Sequence, residues 1–161
     1  MGMVHDPLTL QGFLDLVPDE AHAEVLFLSV RWPEGPVCRW CGSVGNARRL
    51  PGRKMLFHCR DCGRATSARA GTPMAASHLP VRTWLTAMFL MACSSQGISA
   101  RQLGFRLGLQ YRTAWHLSHR IRRMMASDDP VLRRVVEMAE TDVDGDLPAC
   151  PEHAGDDDSG R

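Results

Sequence analysis

Two pairs of closely spaced cysteines are the clearest chemical signal in this chain of 161 residues. Cys38 and Cys41 form the first pair, and Cys59 and Cys62 form the second. Two residues between paired cysteines allow both thiolates to turn back onto one ion, and four thiolates complete the tetrahedral shell that zinc prefers. The spacing therefore predicts zinc. Iron in the same four-thiolate shell is the alternative, because ligand geometry alone does not separate the two metals.

A four-thiolate site leaves no open position for a metal-bound water, so the predicted zinc is structural rather than catalytic. The glycines and short extended runs of residues 37–72 predict small β-hairpins around it. A segment of about 35 residues cannot bury enough apolar surface to fold unaided, so metal binding would supply its folding free energy. We therefore expect Cys59→Ala to unfold residues 37–72 and to leave the following helices folded.

The sequence after the cysteine segment predicts a helix-turn-helix. The run Val81–Cys93 is apolar nearly all round, which is typical of a buried helix. Ser99 and Gln102 have the spacing of a capping box and predict the start of a second, shorter helix. Gly108 predicts the end of that helix, and a longer third helix follows the tight turn.

The third predicted helix, from about Gln110 to Met125, has an apolar face opposite a cationic face. This arrangement beside a tight turn is typical of a helix that reads the major groove of DNA, with base contacts at its N-terminal end and phosphate contacts further along. The candidate DNA-binding residues on this helix and the preceding one are Gln110, Tyr111, Arg112, His116, His119, Arg120, Arg123, Arg101 and Arg106. A solvated cationic face on a structural three-helix unit is the alternative.

The rest of the sequence adds weaker candidates. A second basic patch within the cysteine segment either contacts the DNA backbone or is simply solvated, and it holds Arg48, Arg49, Arg53 and Lys54. We interpret Trp84 and Trp115 as core or interface residues, and Cys93 as a buried thiol.

Charge is distributed unevenly, although the formal net charge is only +1. Residues 31–126 carry a net charge of +14, between ends that carry −5 and −8. A basic block of this size predicts nucleic-acid binding by the middle of the chain. Nearly all of its cations are arginine, which suits phosphate and guanine recognition or reflects genome composition.

Other function classes are disfavoured. The most apolar run, Trp84 to Cys93, is shorter than the ~20 residues that span a bilayer. The N-terminus lacks the basic segment of a secretory signal. We expect a cytoplasmic chain with no membrane partner and no small-molecule substrate, whose cysteines are metal ligands or thiols rather than disulfides.

Short motifs follow the cysteine pairs in a specific order: Gly71-Thr72, Arg82-Thr83-Trp84, Gly97-Ile98-Ser99-Ala100, Thr113-Ala114-Trp115 and His119-Arg120-Ile121-Arg122. Together with residues 38–63 they resemble bacterial insertion-sequence transposases with an N-terminal zinc ribbon. In that family, the zinc ribbon and the helix-turn-helix bind terminal inverted repeats, and a ribonuclease-H-like domain then cuts and joins the DNA. The resemblance implies double-stranded DNA as the partner, with a second copy or an intact transposase as further partners.

The resemblance also implies that catalysis is lost. The first catalytic acid of the family lies in a motif similar to residues 136–145, and Ala139 stands in its place. Alanine cannot bind Mg²⁺, and a two-metal site needs further carboxylates on later strands. We therefore expect no catalytic residue, no catalytic Mg²⁺ site and no enzyme activity on this chain alone.

The predicted fold is a small α+β protein, a four-cysteine zinc ribbon followed by an all-α helix-turn-helix. Its segments are an N-terminal helical segment at 7–36, the ribbon at 37–72, the helix-turn-helix at 80–126, the remnant of a ribonuclease-H-like domain at 127–146 and a disordered acidic tail at 147–161. We expect the DNA-binding portion of a truncated transposase. The alternatives are an accessory chain acting with a separately encoded catalytic chain, a protein-interaction module and the product of a decayed gene.

Overall fold

The computed structural model describes residues 9–52, 55–94 and 96–140, and within them it has six helices and a three-stranded sheet. In chain order these elements are α1 (Leu10–Leu16), α2 (Glu20–Arg31), β1 (Ala47–Arg49), β2 (Leu56–Cys59), β3 (Ala65–Ser67), α3 (Val81–Cys93), α4 (Ala100–Leu107), α5 (Tyr111–Ala126) and α6 (Pro130–Glu140). The predicted small α+β fold is confirmed. The predicted acidic tail at 147–161 lies outside the described residues.

The two N-terminal helices begin at side-chain caps. The Thr9 hydroxyl accepts a hydrogen bond from the backbone N–H of Gly12 at 3.1 Å, and the Asp19 carboxylate accepts one from the N–H of His22 at 2.9 Å. Each cap satisfies an N–H group that the first helical turn cannot pair internally. The Phe13 ring of α1 is buried and stacks on the Phe89 ring of α3, with 4.6 Å between ring centroids. The caps and this packing fix the N-terminal helices on α3.

The sheet is an antiparallel meander in the order β1-β2-β3. Phe57, on the central strand β2, lies opposite Arg49 on β1 and Thr66 on β3. The Phe57 ring is buried and meets the Trp32 ring edge to face, with 5.2 Å between centroids. The sheet therefore packs directly against the end of α2.

One hydrophobic core joins the sheet to the helices. Helix α3 lies at its centre, buried along most of its length, and contacts α1, α2, α4, α5 and α6. The segment after α2 contributes Met55, Phe57, Ala68 and Met74 to the same cluster of buried residues. This arrangement changes the expectation for Cys59→Ala, because unfolding the sheet would also remove part of the core on which the helices pack.

Helix α6 was not predicted from the sequence, although it falls within residues 127–146. The Asp129 carboxylate accepts hydrogen bonds from the N–H groups of Val131 at 2.9 Å and Leu132 at 3.3 Å and so caps the helix. Val131, Leu132 and Val135 are buried where α6 packs on α2 and α3. One face of α6 thus belongs to the core of the helical region.

Two interpretations about burial need correction, those of Met125 and Cys93, while Trp84 is buried as predicted. Trp115 is 42% exposed, so of its two predicted places, core or interface, the core is excluded. Met125, which the apolar face of α5 predicts to be buried, is 43% exposed. It lies in the last turn of α5, and residues 126–128 after it are exposed as well. Cys93, at the last turn of α3, is half-buried. Within the described residues, no helix is long and apolar enough to cross a membrane.

Helix α3 is capped by a side chain that lies far away in sequence. Pro80 precedes the helix and offers no capping side chain. The two carboxylate oxygens of Glu20, at the start of α2, instead accept hydrogen bonds from the backbone N–H groups of Val81 at 2.7 Å and Arg82 at 2.9 Å. Glu20 therefore holds α2 against the N-terminus of the central helix.

We expect Glu20→Ala to lower the free energy of unfolding by about 1–3 kcal/mol, because two partly buried N–H groups lose their acceptor. Glu20→Gln retains one side-chain oxygen and should lose less. Urea titration followed by circular dichroism measures the effect. Asp15→Ala, at an exposed carboxylate on α1, is the control and should cost under about 0.5 kcal/mol. Equal stability of the Glu20→Ala and Asp15→Ala variants would contradict the cap.

Candidate metal centre and nucleic-acid interface

The four predicted metal ligands come together at one end of the sheet. The sulfur atoms of Cys38, Cys41, Cys59 and Cys62 all lie within 4.8 Å of one another. The Cys38 and Cys62 sulfurs are 3.6 Å apart, and so are those of Cys41 and Cys59. Thiolates on a tetrahedral zinc with bonds near ~2.3 Å would be ~3.8 Å apart. The donor set and its spacing therefore fit a structural Zn²⁺ ion.

The two cysteine pairs sit on backbone turns of the same shape. The N–H of Gly42 donates to the carbonyl oxygen of Cys38 at 2.9 Å, and the N–H of Gly63 donates to that of Cys59 at 3.1 Å. Both glycines have positive φ, 75° and 68°, a conformation that residues with a Cβ rarely adopt. These turns, here called the two knuckles (residues 38–42 and 59–63), present both thiols of each pair to a single point.

The thiols differ in acidity. The backbone N–H of Cys41 stabilises the thiolate of Cys38 and lowers the pKa of Cys38 to about 6. The N–H of Ser43 acts in the same direction on Cys41, but burial and the neighbouring thiols outweigh it and raise the pKa of Cys41 to about 12. Zinc must therefore displace protons from this cluster as it binds, and acid should weaken its binding.

Helices α4 and α5 form the predicted helix-turn-helix. The capping box is confirmed: the N–H of Gln102 donates to the Ser99 hydroxyl at 3.2 Å, and the N–H of Ser99 donates to the Gln102 side chain at 3.1 Å. Gly108 ends α4 with φ at 63°, and the N–H of Leu109 returns to the carbonyl oxygen of Gly104 at 2.8 Å. Three residues then separate α4 from α5, which fixes the angle between the helices.

Helix α5 presents a cationic face to solvent. Its buried residues are Ala114, Leu117, Ser118, Ile121 and Met124. Arg112, His116, His119 and Arg123 lie on the opposite side and are exposed, as are Gln110 and Tyr111 at its N-terminal end. Arg101 and Arg106 are exposed on α4. Across residues 9–52, 55–94 and 96–137, no acid lies within ion-pair distance of Arg101, Arg106, Arg112 or Arg123.

Residues 18–65 match the transposase zinc-ribbon domain. This zinc ribbon contains all four cysteines, and α2 precedes them within it. Over 124 residues the chain is also 28% identical to a protein of Halobacterium salinarum described as an uncharacterized protein in transposable element ISH50. That alignment covers 75% of this chain and 41% of the relative, so the chain spans less than half of the relative's length. No solved structure matches the chain.

Two of the predicted DNA-binding arginines are held by other parts of the protein. The guanidinium of Arg120 donates to the carbonyl oxygens of Pro73 at 3.3 Å and Ala75 at 3.1 Å, which ties α5 to the loop before α3. Arg49 on β1 pairs with the carboxylate of Glu24, a buried residue of α2. The sequence places Arg120 on the cationic face of a helix and Arg49 in the basic patch of the ribbon, and it gives no sign of either partner.

The structure describes only one of the three other residues in the ribbon's basic patch. Arg48 is exposed on β1, whereas Arg53 and Lys54 lie outside the described residues. Arg122 on α5 was not among the predicted DNA-binding residues, but it is exposed and belongs to the same basic run as Arg120 and Arg123. The Trp115 ring, predicted to lie in the core or at an interface, is exposed, and its centroid lies 4.1 Å from that of the His119 ring.

Gly104 sets the distance between the two helices of the helix-turn-helix. A Cβ at this position would lie 2.9 Å from the carbonyl oxygen of Leu109 and 3.2 Å from the Cβ of Ala114. The first distance is shorter than real Cβ atoms show, and the contacted oxygen is backbone that cannot rotate away. Only glycine therefore fits where α4 crosses the start of α5.

We expect Gly104→Ala to lower the free energy of unfolding by about 1–3 kcal/mol, because the added methyl group overpacks the helix crossing. The sign of this change in the free energy of unfolding is informative. Alanine at an open helical position would instead stabilise the protein by up to about 1 kcal/mol. Denaturation midpoints of the wild type and the variant measure the difference, and a higher midpoint for Gly104→Ala would contradict the close approach.

Proposed function

We propose that this chain binds double-stranded DNA at the ends of an insertion element, with α5 as the recognition helix and the zinc ribbon as a supporting module. The observation that carries the proposal is the row of exposed arginines and histidines on α5, which lack acidic partners among the described residues and follow a helix-turn-helix turn. The transposase zinc ribbon earlier in the chain supports nucleic acid as the partner.

The dimensions of α5 suit the major groove. Arg112 and Arg123 lie on the same side of the helix and are about 16 Å apart along its axis, at 1.5 Å per residue. The N-terminal residues of a recognition helix contact base edges, so Arg112 and Gln110 would read guanine and adenine. Arg123, three turns further along, would meet a phosphate. Arg101 and Arg106 on α4 would contact the backbone beside the groove.

In this proposal the chain binds DNA without cutting it. The resemblance to the transposase family puts Ala139 at the position of the first catalytic acid, and alanine offers no ligand to Mg²⁺. Binding without cleavage would let the chain occupy the element's ends and compete there with an intact transposase.

Selection from a pool of randomised duplexes tests the proposal without knowledge of the target. The zinc-loaded protein should enrich a defined sequence, and that sequence should recur in inverted repeats that flank the gene. Because many phosphates are contacted, the logarithm of the affinity should fall steeply and linearly with the logarithm of the salt concentration. Absence of binding to any duplex at moderate salt would overturn the proposal.

A further inference from the structure

An exposed tryptophan of the zinc ribbon contacts two arginines, one in the first knuckle and one directly after the second. The Trp40 ring is 54% exposed, and its centroid lies 5.3 Å from the guanidinium carbon of Arg39 and 5.1 Å from that of Arg64. The indole N–H donates to the carbonyl oxygen of Ala65 at 3.2 Å. This bond crosses from the first knuckle to the residues after the second and fixes the ring. Arg39, Trp40 and Arg64 are here called the knuckle patch.

The cations of the knuckle patch are not neutralised by nearby acids. Asp61 is the sole acid in the sequence between residues 37 and 72. Its carboxylate is occupied by the side chains of Ser43 and Asn46. Among the residues that the structure describes, no acid lies within ion-pair distance of Arg39 or Arg64.

Contact with an indole orients a guanidinium group without removing its charge. Stacking restricts the long arginine side chain, so less conformational entropy is lost when its N–H groups bind a ligand. The planar N–H edge of a guanidinium group matches the oxygens of a phosphate group, which arginine can bind through two hydrogen bonds. The knuckle patch therefore has the chemistry of a preorganised phosphate site.

We propose that the knuckle patch binds a backbone phosphate of duplex DNA and is a second contact beside that of α5. This inference rests on the proposed DNA-binding function and deepens it. Two features favour DNA over a small anion. The patch belongs to a strongly basic ribbon, and the ribbon shares one hydrophobic core with the helices that carry α5. Two sites held in one folded unit reinforce each other on a single duplex through a high effective concentration.

The test is a salt titration of binding, followed by fluorescence anisotropy on a labelled duplex of arbitrary sequence and two helical turns (~20 base pairs). Phosphate contacts carry no sequence information, so no target sequence is needed. We expect the double variant Arg39→Gln/Arg64→Gln to bind about tenfold more weakly or worse, and its salt slope to fall by about one unit, as the loss of one phosphate contact requires.

Variants of Trp40 distinguish the effect of orienting the two arginines from the effect of their charge. Trp40→Leu removes the ring but keeps both arginines, so it should weaken binding while the salt slope remains that of the wild type. Trp40→Phe keeps an aromatic face and should restore part of the lost affinity. Wild-type affinity for Trp40→Leu would contradict the role of the ring.

The matched control is Arg133→Gln/Arg134→Gln, which removes the same charge from exposed arginines that already face Asp128 and Glu137. It should change neither affinity nor slope by a comparable amount. Zinc content is measured for every variant. Loss of zinc from Arg39→Gln/Arg64→Gln would overturn the inference, because the arginines would then neutralise the charge of the zinc–thiolate cluster.

The outcomes distinguish this inference from the function on which it rests. Wild-type binding by Arg39→Gln/Arg64→Gln, together with weak binding by variants of α5, would overturn the knuckle patch and leave the proposed function standing. A wild-type protein that binds no duplex would overturn both.

Discussion

Replacing Cys59 by serine is expected to abolish zinc binding and to unfold the ribbon. Serine is a poor ligand for zinc, and structural zinc contributes about 10–16 kcal/mol to the folding of small zinc peptides. The helices should be destabilised as well, by several kcal/mol. Cys59 ends the strand that carries Phe57, and Met55 and Phe57 are part of the core around α3.

Two measurements separate the effects. Zinc analysis should give one ion per wild-type chain and none for Cys59→Ser. Hydrogen exchange should show loss of protection in β2 and, to a smaller degree, in α3. Cys93→Ser is the control, since this half-buried cysteine is not part of the metal cluster and its variant should keep zinc. Unchanged protection of α3 in Cys59→Ser would show that the ribbon and the helices fold independently.

The double variant Arg112→Ala/Arg123→Ala is expected to reduce DNA affinity by about 100-fold or more. A side chain that reads a base contributes about 1–3 kcal/mol, and each 1.4 kcal/mol is a factor of ten. Loss of Arg112 should also relax the preference at one base pair, whereas loss of Arg123 should weaken binding to all sequences and lower the salt slope by about one unit.

Melting temperatures show whether a variant loses affinity through lost DNA contacts or through a loss of folding. Both arginines are exposed, so the melting temperature of the double variant should stay close to that of the wild type. Arg120→Ala should behave in the opposite way, because Arg120 holds the loop at Pro73 and Ala75. It should lower the melting temperature and reduce affinity only slightly. Unchanged DNA binding by Arg112→Ala/Arg123→Ala would argue that the cationic face of α5 is only solvated.

Local signals in the sequence were sufficient for much of the fold. The spacing of the cysteines predicted the metal cluster, because two residues between the cysteines of a pair let both thiolates bind the same ion. The spacing of Ser99 and Gln102 predicted the start of α4, since a capping box forms within a single helical turn. Both features depend on neighbours in the chain and need no knowledge of tertiary packing.

Features that depend on distant contacts were missed. The sequence around Glu20 gives no sign of a distant partner, yet its side chain accepts hydrogen bonds from Val81 and Arg82, about 60 residues away. Arg49 and Arg120 were interpreted as surface cations because the sequence does not reveal partners on other segments. Those partners are the buried carboxylate of Glu24 for Arg49 and two backbone carbonyl groups for Arg120. Helix α6 was missed because the resemblance to a catalytic motif directed the interpretation of its residues.

The shared core has a consequence for how the chain can be divided. Zinc ribbons and helix-turn-helix units are often treated as modules that can be expressed separately. Here the cap on α3 comes from α2, helix α6 packs on α2 and α3, and the ribbon adds Met55 and Phe57 to the same cluster of buried residues. A fragment that begins after the ribbon would expose this surface. The described residues should therefore melt in a single cooperative transition, with zinc raising its midpoint.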